Sequence, residues 1–106
     1  MEKVYVSGKI TGEAPIACGL KFGYASTKLG EQGYKVINPY ALFKPMTEEG
    51  FDYDDLMSMC YRAIDVCDTV YMLDDWHLSS GAKNEHEYAL THSKTVIYQS
   101  AEKVKK

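Results

Sequence analysis

The chain has 106 residues, 45% of them apolar and 25% charged, which is one domain's worth of protein with a modest core. Its 12 basic side chains against 15 acidic ones leave a net charge of −3, which excludes a nucleic-acid polymer as partner, because counterion-release binding needs a concentrated basic face. No run approaches the about 20 apolar residues needed to cross a bilayer, and Met1-Glu2-Lys3 leads into a strand-like run rather than a signal peptide, so a cytoplasmic protein with no membrane partner is expected.

Lys3 to Ser7 (KVYVS) is a β-branched and aromatic run that stops at Gly8, as a strand entering the loop Gly8-Lys9-Ile10-Thr11-Gly12 does. From about Pro15, the apolar residues Phe22, Ala25 and Leu29 recur at i, i+3 and i+7, and Gly33 supplies the stop of an amphipathic helix. Tyr34 to Asn38 (YKVIN) is a second strand, ended by Asn38-Pro39. Tyr40 to Gly50 has no clean period and reads as a loop or broken helix, whose bulky Leu42, Phe43, Pro45 and Met46 make it a candidate lid. Tyr53 to Val66 is the clearest helix, with Leu56, Met59, Cys60, Ala63 and Ile64 on one stripe and Asp52 or Asp54 as its cap. Asp68 to Leu73 (DTVYML) is a third strand, with Asp68 at the end of the sheet away from the rim loops. Ser79-Ser80 opens a helix through about Thr91, and Thr95 to Gln99 (TVIYQ) is a fourth strand. The tail carrying Lys103, Lys105 and Lys106 is a solvated end.

This βαβαβαβ order with mostly apolar strands predicts an α/β fold. The expectation is a single domain over 1–106, a Rossmann- or flavodoxin-like three-layer sandwich with a roughly four-stranded parallel sheet. Ligands of such folds bind outside the carboxyl ends of the strands, which puts Gly8 to Gly12, Asn38-Pro39 and Asp74 to Glu85 on one rim. Cys18, Cys60 and Cys67 are an odd, sparse set and read as buried reduced thiols. Nine tyrosines against three phenylalanines and one tryptophan point to half-wet surfaces such as a pocket or subunit interface.

Three stretches of the rim carry chemistry. In Ser7-Gly8-Lys9-Ile10-Thr11-Gly12, two glycines let backbone N–H groups approach an anion, with Lys9 and the Thr11 hydroxyl as further donors; a plain tight turn is the alternative. Ser79-Ser80-Gly81 presents hydroxyls and free N–H groups at a helix start, a second anion seat. Glu85 follows near the first turn, where the helix dipole favours the ionised carboxylate, as a nucleophile or base requires; such an acidic residue is also common without any function. At Asp74-Asp75-Trp76 a carboxylate is placed to donate a proton or hold a sugar hydroxyl while Trp76 stacks on a ring; the alternative is a solvated turn with a half-buried tryptophan. Asp75, His77, Glu85, His86 and His92 cluster in sequence without a metal-ligand spacing, so neither a metal nor another cofactor is expected.

The first-strand loop Ser7-Gly8-Lys9-Ile10-Thr11-Gly12, the aspartates ending the third strand, and Ser79-Ser80-Gly81 leading to Glu85-His86-Glu87-Tyr88-Ala89 occur in an order that resembles the nucleoside 2-deoxyribosyltransferase superfamily. The similarity runs from Lys3 to about Tyr98 and is to its short members, such as 2′-deoxynucleoside 5′-monophosphate N-glycosidases and uncharacterised phage and bacterial relatives of the DUF4406 type. The Gly81-x-x-x-Glu85-x-x-x-Ala89 spacing makes Glu85, not Glu87, the nucleophile that the resemblance implies. Its carboxylate attacks C1′ of the sugar, the base leaves, and the glycosyl-enzyme passes to water or another base. The resemblance further implies that Asp74 or Asp75 assists the leaving base. Gly8, Lys9, Ile10, Gly12 and Ser79 or Ser80 then hold a 5′-phosphate. The sequence departs from the family where Thr11 stands in place of the arginine of the monophosphate hydrolases, and in ending soon after its fourth strand.

The function expected is therefore cleavage or transfer of the N-glycosidic bond of a (deoxy)nucleoside or its 5′-monophosphate. The expected partners are that small molecule and a second copy of the chain, as a homodimer or higher homo-oligomer. The alternative is a module that binds or sequesters a nucleotide in the same pocket without turnover.

Overall fold

Four β-branched and aromatic runs pair into one parallel sheet in the computed structural model, which describes residues 2–100. In chain order the elements are β1 (Lys3–Ser7), α1 (Pro15–Glu31), β2 (Lys35–Ile37), α2 (Pro39–Glu48), α3 (Tyr53–Asp65), β3 (Thr69–Met72), a 3-10 turn (Trp76–Leu78), α4 (Ser80–Thr91) and β4 (Thr95–Tyr98). The strand order is β2-β1-β3-β4, with Tyr5 opposite both Ile37 and Val70, and Tyr71 opposite Ile97. The basic tail at Lys103, Lys105 and Lys106 lies outside the described residues.

Alternation along the strands builds two cores. Val4, Val6, Tyr71 and Leu73 face α1, where they meet Cys18, Phe22, Ala25 and Leu29. Tyr5, Val70 and Met72 face the other way, onto Cys60, Ile64 and Cys67 of the α3 segment and Ala82 and Ala89 of α4. The molecule is thus a three-layer α/β sandwich of one domain, as the sequence predicts. All three cysteines are buried and free. No helix among the described residues is long and apolar enough to cross a membrane.

Local signals explain the helix starts. The Asn38 side chain accepts from the Ala41 N–H at 3.2 Å and Pro39 takes the first helical position, so α2 begins directly on the end of β2. The loop or broken helix expected over Tyr40 to Gly50 is therefore mostly a helix. Pro45 inside it lacks one N–H donor without ending it, and the chain turns only at Gly50, whose φ of +93° suits glycine. Asp52, not Asp54, caps α3 through a reciprocal pair, Asp55 N–H to Asp52 at 2.9 Å and Asp52 N–H to Asp55 at 3.2 Å. Of the stripe predicted on α3, Cys60 and Ile64 are buried but Met59 is exposed, because α3 meets the sheet along a narrower seam than the periodicity suggests. Asp68 bonds the Lys3 N–H at the sheet end away from the rim loops.

Candidate functional site

The crossovers leave β1 and β3 in opposite directions, α1 toward β2 and α4 toward β4, so a crevice opens at their carboxyl ends. Three elements close it: the loop after β1, the start of α4, and the face of α3. The resulting cavity has a volume of about 350 Å³. Of the residues singled out in the sequence, Gly8, Lys9, Ile10, Thr11, Ser79, Ser80, Gly81 and Glu85 line it.

Glu85 forms the floor. On α4 the sheet-facing positions Ala82, Glu85 and Ala89 fall at i, i+3 and i+7, and the two alanines let the helix press onto the sheet, carrying the carboxyl with it. Glu85 is 6% exposed. Its carboxyl accepts from the Tyr5 hydroxyl at 2.9 Å and from the Ser7 hydroxyl at 2.6 Å, alternate side chains of β1 that point to this face. Burial pushes the Glu85 carboxyl above its ordinary range, and the donors from Ser7, Tyr5 and Cys60 pull against that rise without cancelling it. The dipole at the α4 start, expected to favour the ionised carboxylate, is outweighed by burial. Burial, with the Glu85 charge second, likewise raises the Cys60 thiol to about 12, which keeps it protonated as a donor.

Opposite the floor lie unclaimed donors. The Ser79 side chain caps α4 by accepting from the Ala82 N–H at 3.1 Å, leaving the Ser80 and Gly81 N–H groups without a partner among the described residues. In the loop, Lys9 N–H donates to Asp75 at 3.1 Å and Glu13 N–H to the Ile10 carbonyl at 3.1 Å. The N–H groups of Ile10, Thr11 and Gly12 have no such partner. Gly8 is required by space, since a Cβ there would lie 2.7 Å from Leu73 Cδ1 in the core. Gly12 turns the chain with a φ of +83°.

The remaining predicted residues take other places. Asp75 lies outside the cavity lining and braces the loop: it accepts from Lys9 N–H, and Lys21 reaches it at 2.5 Å while also donating to the Lys9 carbonyl at 2.7 Å and to Glu13 at 3.1 Å. Asp74 faces β4, with its N–H on Gln99 at 3.0 Å and its carboxylate accepting from Ser100. Trp76 packs on His86, ring centroids 4.3 Å apart, and on Tyr98 at 6.1 Å rather than lining the cavity, and Asn38 is spent on capping α2. Lys9 lines the cavity, with its ammonium 3.8 Å from Glu13. Tyr5, Tyr53, Leu56, Met57, Cys60 and Leu78 also line the cavity, with no site role legible in the sequence. The tyrosine excess was the one signal for Tyr5 and Tyr53. The residues clustered in sequence as a metal possibility separate in space, and among the described residues no group of three His, Cys, Asp or Glu side chains is placed to hold an ion.

The family described as Domain of unknown function (DUF4406) matches residues 2–98. No curated protein and no solved structure matches the chain.

Proposed function

For this chain, which belongs to the DUF4406 family, we propose cleavage or transfer of the N-glycosidic bond of a (deoxy)nucleoside or its 5′-monophosphate, with Glu85 as nucleophile. The observation that carries the reading is the buried Glu85 carboxyl, held by Tyr5 and Ser7 at the floor of a cavity whose opposite wall offers unclaimed N–H groups. Two hydroxyls, one on each carboxyl oxygen, fix the carboxyl in place at the cavity floor.

In the reaction, a Glu85 oxygen attacks C1′, the C1′–N bond breaks, and its electron pair stays on the base nitrogen, which takes a proton. Water or a second base then attacks C1′ and the Glu85 carboxylate departs, so the configuration at C1′ is retained. Because Asp75 is tied to Lys21 and the Lys9 N–H, and Asp74 to Ser100, we assign the proton on the leaving base to solvent entering the cavity. The same placement of the aspartates favours the second reading, a module that holds a nucleotide without turnover.

Incubating the protein with a panel of deoxynucleosides, ribonucleosides and their 5′-monophosphates, and following free base by chromatography, separates the two. Release that disappears in Glu85→Gln supports the glycosidase. Nucleotide-dependent thermal stabilisation with no release supports the binding module, for which a ligand at a hundred times its Kd adds about 2.7 kcal/mol.

We further propose a homodimer working in the cytoplasm. Ile16, Leu20 and Tyr24 form a continuous stripe on α1, 80%, 69% and 74% exposed, which a second copy would cover. Sedimentation of the protein and of Leu20→Glu at micromolar concentration tests this; a monomer in both overturns it.

A further inference from the structure

Ser7, Met72 and Tyr98 lie side by side on neighbouring strands, Ser7 opposite Met72 and Met72 opposite Tyr98. The hydroxyls at the two ends of this row hold consecutive residues of α4. Ser7 donates to the Glu85 carboxyl at 2.6 Å, and Tyr98 shares a hydrogen bond of 2.6 Å with Nε2 of His86. The His86 ring also packs at a tilt on Trp76, with centroids 4.3 Å apart. Trp76 is itself tied to the end of β3, its N–H on the Leu73 carbonyl at 3.0 Å. Both contacts of His86 therefore run to the sheet or its immediate exit, the same frame that carries Ser7 and Tyr5.

The rest of α4 does little to orient Glu85. Ala82 and Ala89 meet the sheet with one methyl each, which sets how closely the helix lies but gives a rotation about its axis nothing to push against. On the other flank Tyr88 stacks on Tyr61 and donates to Asp65 at 2.7 Å, but that bond is exposed and competes with water. A group at the outer radius of a helix, about 5–6 Å from its axis, moves about 1 Å for a rotation of about 10°. The hydrogen bond from Ser7 to Glu85 does not survive such a shift.

We propose that His86 is a positioning residue for Glu85: anchored on Trp76 and Tyr98, it fixes the rotation of α4 and so keeps the carboxyl on Ser7 and Tyr5. The consequence for turnover rests on the reading of Glu85 as nucleophile; the anchoring itself does not.

Two measurements on the same variants test it. Glutamate side chains labelled with carbon-13 are titrated by NMR, the Glu85 signal being the one absent from Glu85→Gln, and kcat and KM are measured for base release from a deoxynucleoside 5′-monophosphate. In His86→Ala the carboxyl turns off its donors toward the open cavity. Its midpoint should fall toward about 4.3, because burial is the largest cause of its raised value. With the nucleophile misplaced by about 1 Å, kcat should drop about a hundredfold while KM stays close to that of the parent. Tyr98→Phe keeps the ring and removes the hydroxyl, and should move both readouts the same way by less. Leu29→Val thins the core on the opposite face of the sheet, and should lower the melting temperature without moving the Glu85 midpoint or kcat. A Glu85 midpoint that stays with the parent in both His86→Ala and Tyr98→Phe, or one that moves as far in Leu29→Val, overturns the proposal. A parent that releases no base overturns the glycosidase reading alone, and the midpoints still decide the role of His86.

Discussion

The Ser7 hydroxyl donates to Glu85 at 2.6 Å, tying the last residue of β1 to the second turn of α4 across the point where the sheet's crossovers diverge. That bond orients a carboxyl which burial would otherwise drive toward its neutral form, and it makes the acid-base state of Glu85 the quantity on which stability and chemistry both turn.

Stability should show the tension. With its pKa in the folded chain above that in the unfolded chain, Glu85 contributes most below the ordinary glutamate range, and that contribution is lost as pH rises through the raised value. Glu85→Gln keeps the shape and removes the charge. It should melt higher than the parent at pH 8, with the gain shrinking toward pH 4. A variant that melts lower at pH 8 would contradict the buried-carboxyl account.

Activity should carry the same signature with opposite sign. The nucleophile must be ionised, so the acid limb of kcat/KM should lie above the about 4.3 of an unperturbed glutamate. Ser7→Ala and Tyr5→Phe each remove a donor that lowers the pKa, and each should move the limb to higher pH. An acid limb that stays in place in both variants would mean that another group titrates.

Much of the scaffold is legible in the residues. The runs KVYVS, TVYM and TVIY are strands because β-branched and aromatic side chains pack on both faces of a buried sheet, whereas Glu85 is singled out by the family resemblance that its spacing from Gly81 and Ala89 carries. The α2 helix is hidden because Pro45 spoils the period, although Asn38-Pro39 is a helix-start signal as well as a strand end. Tyr5 reads as a strand residue, Tyr53 as a helix start and Cys60 as a core thiol, because their gathering around one cavity with Glu85 depends on how closely α3 and α4 approach, which no single segment encodes. Trp76, expected from the sequence as a stacking platform for a ligand ring, instead packs at a tilt on His86, ten residues along, through the turn into α4.

The loop brace separates two roles for Asp75. Lys21→Met removes the cation shared by Asp75, Glu13 and the Lys9 carbonyl, and should cost about 1 kcal/mol of stability while loosening ligand binding. Asp75→Asn should raise KM and leave kcat and its pH dependence alone. A large fall in kcat with unchanged KM would return Asp75 to the role of proton donor.

Gly8 tests the close approach of the loop to the core. Gly8→Ala sets a methyl 2.7 Å from Leu73 Cδ1, and with Leu73 fully buried the clash should cost about 1–3 kcal/mol in urea unfolding. Leu73→Ala costs stability by itself through its cavity, but combined with Gly8→Ala the two should sum to less than their separate losses. Strict additivity would contradict the contact.

As nucleophile, Glu85 must bond to the sugar during turnover. After brief reaction with the deoxynucleoside 5′-monophosphate that releases base fastest, the protein is acid-quenched, digested and weighed by mass spectrometry. A deoxyribose 5-phosphate adduct is expected on the peptide containing Glu85, with neither adduct nor free base from Glu85→Gln. Base release that persists in Glu85→Gln, or an adduct on another residue, would contradict it.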